Sequence, residues 1–272
     1  MKLVLRVARM AAYHSECGQR FARAVAELVR DGHFLAVVHG RRSGVQPCPA
    51  PGANGTAGTN GRHSDHIEGV EFTAAERENR VLVSLLAEAN AMGIGLRATD
   101  AGLVQLRKQN IANGAAGSRV EAAHLHSRWL EIICANQGVP VVSNLSCWVG
   151  GEDYLIDPDQ MAAVCAVDWN ADALIYLTEE NGVPGAQGEI LRWFDINSNH
   201  DLQAATLSGE MRARLEACAM ALKHGVWRVR ILPLSNVDCL SSFYISSIKY
   251  GTEVVAGNPR IERSQTATLH RD

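Results

Sequence analysis

Apolar positions along the chain fall into two kinds of run. One kind is short and nearly continuous, bounded by Gly, Pro or small polar residues. Residues 2–8, FLAVVHG (34–40), GIGLRATDAG (93–102), VPVVSNLSCWVGG (139–151), ADALIYLTEENGV (171–183), VWRVRIL (226–232) and YGTEVVAG (250–257) are of this kind. Such runs predict strands buried on both faces. The other kind repeats apolar residues every three or four positions and predicts helices. ECGQRFARAVAELVR gives a helix over 16–30, closed by Asp31-Gly32. TAAERENRVLVSLLAEANAM gives one over 73–92, with Thr73 and Glu76 spaced as a capping box. Further helices are expected over 120–136, from Asp157-Pro158 onward, and over 207–224. Strands and helices alternate almost throughout. That order predicts an α/β fold, a three-layer α/β/α sandwich on a mainly parallel sheet. In such sheets ligands bind beyond the carboxyl ends of the strands.

Residues 43–66, SGVQPCPAPGANGTAGTNGRHSDH, break the alternation with Gly, Pro, Ser, Thr and Asn. They read as a flexible insertion within one domain spanning 1–272. His63, Asp65 and His66 in it read as solvated loop residues rather than a metal site. The chain has 272 residues, 47% apolar, enough for one sizeable core. A formal charge of −3 gives no reason to expect a nucleic-acid partner or a membrane surface. No apolar run reaches membrane-spanning length. The 7 cysteines form no C-x-x-C pair and read as reduced thiols of a cytoplasmic protein. Trp148, Trp169, Trp193 and Trp227 read as core or interface fillers.

The stretch AVVHGRRSGV (36–45) carries the first chemical signal: a buried strand ends at His39-Gly40 and two arginines, Arg41 and Arg42, follow. Tight turns after a strand cradle anions through backbone N–H groups when small residues allow close approach. Three longer segments add to it: 139–183, GIGLRATDAGLV (93–104) and YGTEVV (250–255). Their order and spacing resemble the amino acid kinase family, most closely its acetylglutamate kinases, over almost the whole chain.

The resemblance implies an N-terminal acyl-substrate half, a C-terminal nucleotide half, and phosphoryl transfer from ATP with Mg²⁺ to a small-molecule carboxylate. It also implies a homo-oligomer, a dimer or higher. Catalysis in that family is positioning and charge neutralisation. The family's K-x-G-G motif is matched by Arg6-Val7-Ala8-Arg9, so Arg6 stands for a phosphate-gripping lysine. Its glycine loop is matched by His39-Gly40-Arg41-Arg42. Its G-G-M-x-x-K is matched by Gly209 to Arg214, with Met211 kept and Arg214 for the second lysine. The lysine-orienting aspartate is matched by Asp159. The adenosine-side turn is matched by LTEENGV, with Thr178, Glu179 and Gly182. On the acyl side, Glu71 falls where the family has a carboxylate-binding arginine, and Leu155 and Asp157 fall on its two asparagines.

Both lysine positions thus keep a positive charge, while glycines are lost and one charge is reversed. Each site residue also has a plain reading. Arg6 and Arg9 serve equally as strand-end charges, Asp157 and Asp159 as helix caps, Arg41-Arg42 as a solvated turn, and Arg214 as part of a solvated helix face. His39 is not expected to act as a base, because a carboxylate acceptor is already ionised at pH 7. Three functions stay open: an acetylglutamate-kinase-like phosphotransferase, a non-catalytic relative acting as a regulatory or binding protein, and a kinase for a different acid.

Overall fold

The structure is a computed structural model. It describes residues 1–8, 16–41, 69–110, 118–147, 153–198, 207–242 and 250–257. The insertion at 43–66, Arg9, Arg42, Trp148 and the loop histidines lie outside the described residues.

The elements run in the order β1 (Lys2–Val7), α1 (Glu16–Arg30), β2 (Phe34–His39), α2 (Gly69–Glu88), β3 (Met92–Arg97), β4 (Val104–Asn110), β5 (Ser118–Leu125), α3 (Arg128–Ala135), β6 (Gly138–Ser143), β7 (Leu145–Cys147), β8 (Asp153–Leu155), α4 (Pro158–Asp168), β9 (Ala173–Thr178), β10 (Trp193–Asp195), α5 (Gly209–Lys223), β11 (Arg228–Pro233) and β12 (Thr252–Val255). Eight strands form the central sheet in the order β10-β12-β11-β9-β1-β2-β6-β3. The pairs from β11 across to β3 are parallel, and β12 runs antiparallel to β11.

The two-residue period of the strands sorts their side chains between two cores. Leu3, Leu5 and Val7 of β1, with Leu35 and Val37 of β2, pack under α1 and α2 against Phe21, Val25, Leu82 and Leu86. Val4, Ala36, Val38, Leu174 and Tyr176 face the other way, onto α3, α4 and α5. Helices therefore cover both faces of a mainly parallel sheet, as expected from the alternation. The same period turns Arg6 toward α4 and α5 and His39 toward α2. The register Arg6↔Val38 and Val7↔His39 sets both near the carboxyl end of the sheet.

Two expectations fail. The predicted helix over 120–136 is mostly strand: Ser118–Leu125 pairs antiparallel with Val104–Asn110, and only Arg128–Ala135 is helical. Val120 and Ala122 are buried two residues apart, so hairpin pairing overrides the helical propensity of Glu and Ala. The helix predicted at 73–92 spans Gly69–Glu88, and Asn90 at φ +62° breaks the run into β3. Thr73 lies inside that helix and cannot cap it; Glu76 instead pairs with Arg80 and Arg97. Trp169 is fully buried in the core, whereas Trp227 is 66% exposed at the surface. Among the described residues no helix is long and apolar enough to cross a membrane. Cys134, Cys165 and Cys218 are buried free thiols. Burial pushes their pKa values up, that of Cys134 to about 12, and they stay protonated and unreactive at neutral pH.

Candidate functional site

Several chain segments meet at the carboxyl ends of β1, β2, β6 and β9. The first is the start of α4. Pro158 occupies its first turn, and the Asp157 carboxylate accepts hydrogen bonds from the backbone N–H groups of Asp159 (2.9 Å) and Gln160 (3.0 Å). Asp157 is therefore the helix cap. Capping leaves Asp159 free to point back over the sheet, where it is fully buried.

Asp159 sits between two guanidinium groups. Its Oδ1 lies 2.7 Å from Arg6 Nε and its Oδ2 lies 3.1 Å from Arg214 Nε. Arg6 is 4% exposed and Arg214 1% exposed, so neither belongs to a solvated face. Arg6 also donates to the Val7 carbonyl and extends Nη2 to 3.5 Å from the Gly40 carbonyl. Arg214 reaches the centre from α5, which Ser208 caps by accepting from Met211 N–H at 3.1 Å. Its other two nitrogens have carboxylates too: Nη1 lies 3.4 Å from Glu180 and Nη2 lies 3.1 Å from Glu210. Burial by itself lowers the Arg214 pKa, but Asp159, Glu180 and Glu210 outweigh it and raise it above the ordinary value. Two cations thus face three carboxylates. A charge inside the protein is retained only when paired in this way.

The second segment is the turn after β2. Gly40 has φ +140°, a conformation side-chain-bearing residues avoid. A Cβ there would also overlap the Asn144 carboxamide. Asn144 is buried and ties the turn down, donating to the carbonyls of Arg41 (2.6 Å) and Ile156 (2.5 Å). Gly40→Ala is expected to cost about 2 kcal/mol, from backbone strain plus displacement of Asn144. An unchanged denaturant midpoint would refute this.

Arg41 does not face the Asp159 centre: its Nε pairs with Glu78 of α2 at 3.1 Å. His39 is fully buried against the same helix, its Nε2 2.9 Å from Asn79 Nδ2. With Asn79 donating, the ring proton sits on Nδ1, which has no partner among the described residues. Burial, aided by the nearby Arg6 charge, pushes the His39 pKa down to about 3. The imidazole is neutral at working pH: it keeps its Nδ1 proton and does not take up a second. The unfolded chain takes up this proton near pH 6.5 and the folded one does not, so the contribution is whole above pH 6.5 and is lost as pH falls toward 3. Between pH 6.5 and about 5, His39 is expected to withdraw ~2 kcal/mol of stability. His39→Gln should flatten the dependence of stability on pH in that window; an equal slope in both proteins would contradict the assignment.

Several other sequence-derived positions do not reach an open site. Leu155 is 3% exposed and packs with Ala75 and Leu145. Met211 is 2% exposed, in the core beneath α5. Thr178 donates to the Glu180 carbonyl (2.9 Å) and shapes the turn after β9. Gly182, at φ +138°, would press a Cβ within 2.7 Å of Ile190 and Thr252, so it serves close packing. Glu179 is exposed in the same turn. Glu71 lies in the first turn of α2, and its side chain is outside the described residues. Among the described residues no group of three or more His, Cys, Asp or Glu is arranged to hold a metal ion.

The sequence reading missed Glu78, Asn79, Asn144, Glu180 and Glu210. Glu210 had a readable signal, since it precedes Arg214 by four residues on one helix face. Asn79 and Asn144 had none, because their contacts cross 40 and 103 residues of sequence.

Residues 11–233 match the family model described as "Amino acid kinase family". The acetylglutamate kinase of Acidobacterium capsulatum is 37% identical over 94% of this chain and 100% of its own length. That of Koribacter versatilis is 34% identical over 94% of this chain and 99% of its own. Among solved structures, the N-acetylglutamate synthase of Neisseria gonorrhoeae, complexed with coenzyme A and N-acetyl-glutamate, superposes with a TM-score of 0.73. It is 17% identical, covering 100% of this chain and 67% of that one. A Giardia carbamate kinase superposes with a TM-score of 0.64 at 12% identity, covering 94% of this chain and 99% of its own. The matched length, the identity to the acetylglutamate kinases and the shared mainly parallel sheet agree, and the chain belongs to the amino acid kinase family.

Proposed function

We propose that this protein is a phosphotransferase that moves the γ-phosphoryl group of MgATP to the carboxylate of a small acyl-amino acid, as the names of its 37% and 34% identical relatives suggest. The observation that carries the reading is the Asp159 carboxylate held between Arg6 and Arg214. Two cations on different elements, one from β1 and one from α5, are fixed at the carboxyl edge of the sheet. Phosphoryl transfer needs such fixed positive charge, because charge on the transferring oxygens must be neutralised while donor and acceptor stay in line. The acceptor carboxylate is ionised at neutral pH, so no general base is required, in keeping with a neutral, buried His39. The donor set suits phosphate: guanidinium forks match its oxygens. Any Mg²⁺ would be held chiefly through the nucleotide phosphates.

MgATP at about 100 times its Kd is expected to add roughly 2.7 kcal/mol of stability, which raises Tm by about 4–5 °C in a chain of this size. Acyl phosphate should then form with N-acetylglutamate or another small acid and be trapped by hydroxylamine. Absence of any shift with ATP or ADP, with and without Mg²⁺, would refute the reading. The engagement of all three Arg214 nitrogens by carboxylates favours a second reading, a non-catalytic relative that keeps the fold as a binding or regulatory protein. That outcome would appear as an acid ligand that raises Tm without any turnover.

A further inference from the structure

We propose that Glu180 and Glu210 set the nucleotide affinity of this site: they are internal anions that occupy the outer nitrogens of Arg214, so that a nucleotide phosphate must displace them to bind. The inference rests on the nucleotide-binding reading above and deepens it.

An ammonium offers one centre of charge, whereas a guanidinium offers three nitrogens in a fixed plane. At position 214 each of the three has its own carboxylate: Nε has Asp159, Nη1 has Glu180 and Nη2 has Glu210. The three carboxylates differ in character. Asp159 is 1% exposed at its side chain and is shared with Arg6, so it belongs to the framework. Glu180 and Glu210 are 43% and 49% exposed at theirs, at 3.4 and 3.1 Å. Both come from the solvent side, one from the turn after β9 and one from the first turn of α5. Half-exposed carboxylates rehydrate at little cost and can swing away, which a buried one cannot.

Their positions sharpen the point. Glu210 stands where the matching motif has its second glycine, and Glu180 follows directly on Glu179 in the turn matched to the adenosine side. Both therefore border the face of Arg214 that a phosphate would use. With both in place the centre holds Arg6 and Arg214 against Asp159, Glu180 and Glu210, an excess of one negative charge. A polyanion approaching such a centre must exchange anion for anion, so its affinity carries the cost of the displaced carboxylates.

The test is titration of MgADP by calorimetry against wild type, Glu180→Gln, Glu210→Gln and the double variant. Glu216→Gln is the control, on the exposed face of the same helix with the same change in net charge. Glutamine keeps the shape and one acceptor oxygen while removing the charge. The double variant is expected to bind about tenfold more tightly than wild type, or ~1.4 kcal/mol. Each single variant should gain about threefold, and Glu216→Gln should stay within about twofold. The single variants keep the proposal testable if the double variant does not fold. Equal or weaker binding by the variants, with wild type binding measurably, overturns this inference and leaves the phosphotransferase reading standing. A gain by Glu216→Gln equal to the others overturns it as well, since bulk charge would then explain the change. No binding by any of the proteins overturns both.

Discussion

Replacing Asp159 with alanine is expected to be the most damaging single change in this protein. It removes the one carboxylate that Arg6 and Arg214 share and leaves two guanidinium groups, 4% and 1% exposed, facing each other. Breaking a buried ion pair from one side costs on the order of 3–5 kcal/mol, because an uncompensated charge stays in the interior. Here Arg214 retains Glu180 and Glu210, whereas among the described residues Arg6 keeps the Val7 and Gly40 carbonyls. Most of the loss is therefore expected at Arg6, whose strand lies mid-sheet between β2 and β9. Asp159→Asn preserves the shape and should lose less stability, while phosphoryl transfer falls with both variants because the cations are no longer held in one geometry. Urea unfolding combined with ATP turnover separates the two effects. An Asp159→Ala protein of wild-type stability would show that the pair contributes nothing net.

The second large effect is expected at Arg214. Arg214→Ala removes a fixed cation from the place where charge develops in the transition state, and loss of one such donor lowers kcat by about 10²–10³, or ~3–4 kcal/mol. Stability should suffer less than with Asp159→Ala. Asp159 still has Arg6, and Glu180 and Glu210 are exposed enough to return to water. Arg214→Lys separates charge from shape. Its single ammonium can serve Asp159 but not all three carboxylates, so part of the turnover should return while the melting temperature stays below wild type. If alanine at 214 leaves kcat and kcat/KM unchanged in an active protein, the residue is a structural strut and the cation that matters lies elsewhere.

These two expectations came within reach of the sequence to different degrees. Asp159, Arg6 and Arg214 were singled out by their place in matched motifs, and the structure brings all three together. The alternation of β1 accounts for part of that: Leu3, Leu5 and Val7 are apolar and face α1, so Arg6 must face the opposite helices. Arg41, in contrast, stands in the matched glycine loop after β2. The structure turns it to Glu78 on α2, a partner 37 residues away. Asp157 and Leu155 were assigned by motif position as well, yet one caps α4 and the other packs under α2. Motif position keeps the direction of the side chain where the charge is retained, at Arg6 and Arg214, and loses it where the residue's chemistry has changed.

Local rules on the chain determined the strand–helix alternation, the apolar strands of the central sheet and the Asp157-Pro158 start of α4. Each depends on a period of two or 3.6 residues, or on a cap contact within three residues. The hairpin of β4 and β5 was illegible, because Glu and Ala in β5 favour a helix until a paired strand offers its backbone hydrogen bonds. The state of the functional centre was equally beyond the sequence. Which carboxylate meets which nitrogen of Arg214 depends on approaches across 55 and 34 residues, and no pattern of near neighbours encodes them. Only the packing of α4, α5 and the turn after β9 over one end of the sheet decides that an arginine conspicuous in the sequence as a free cation is, in the folded protein, bound on all three nitrogens.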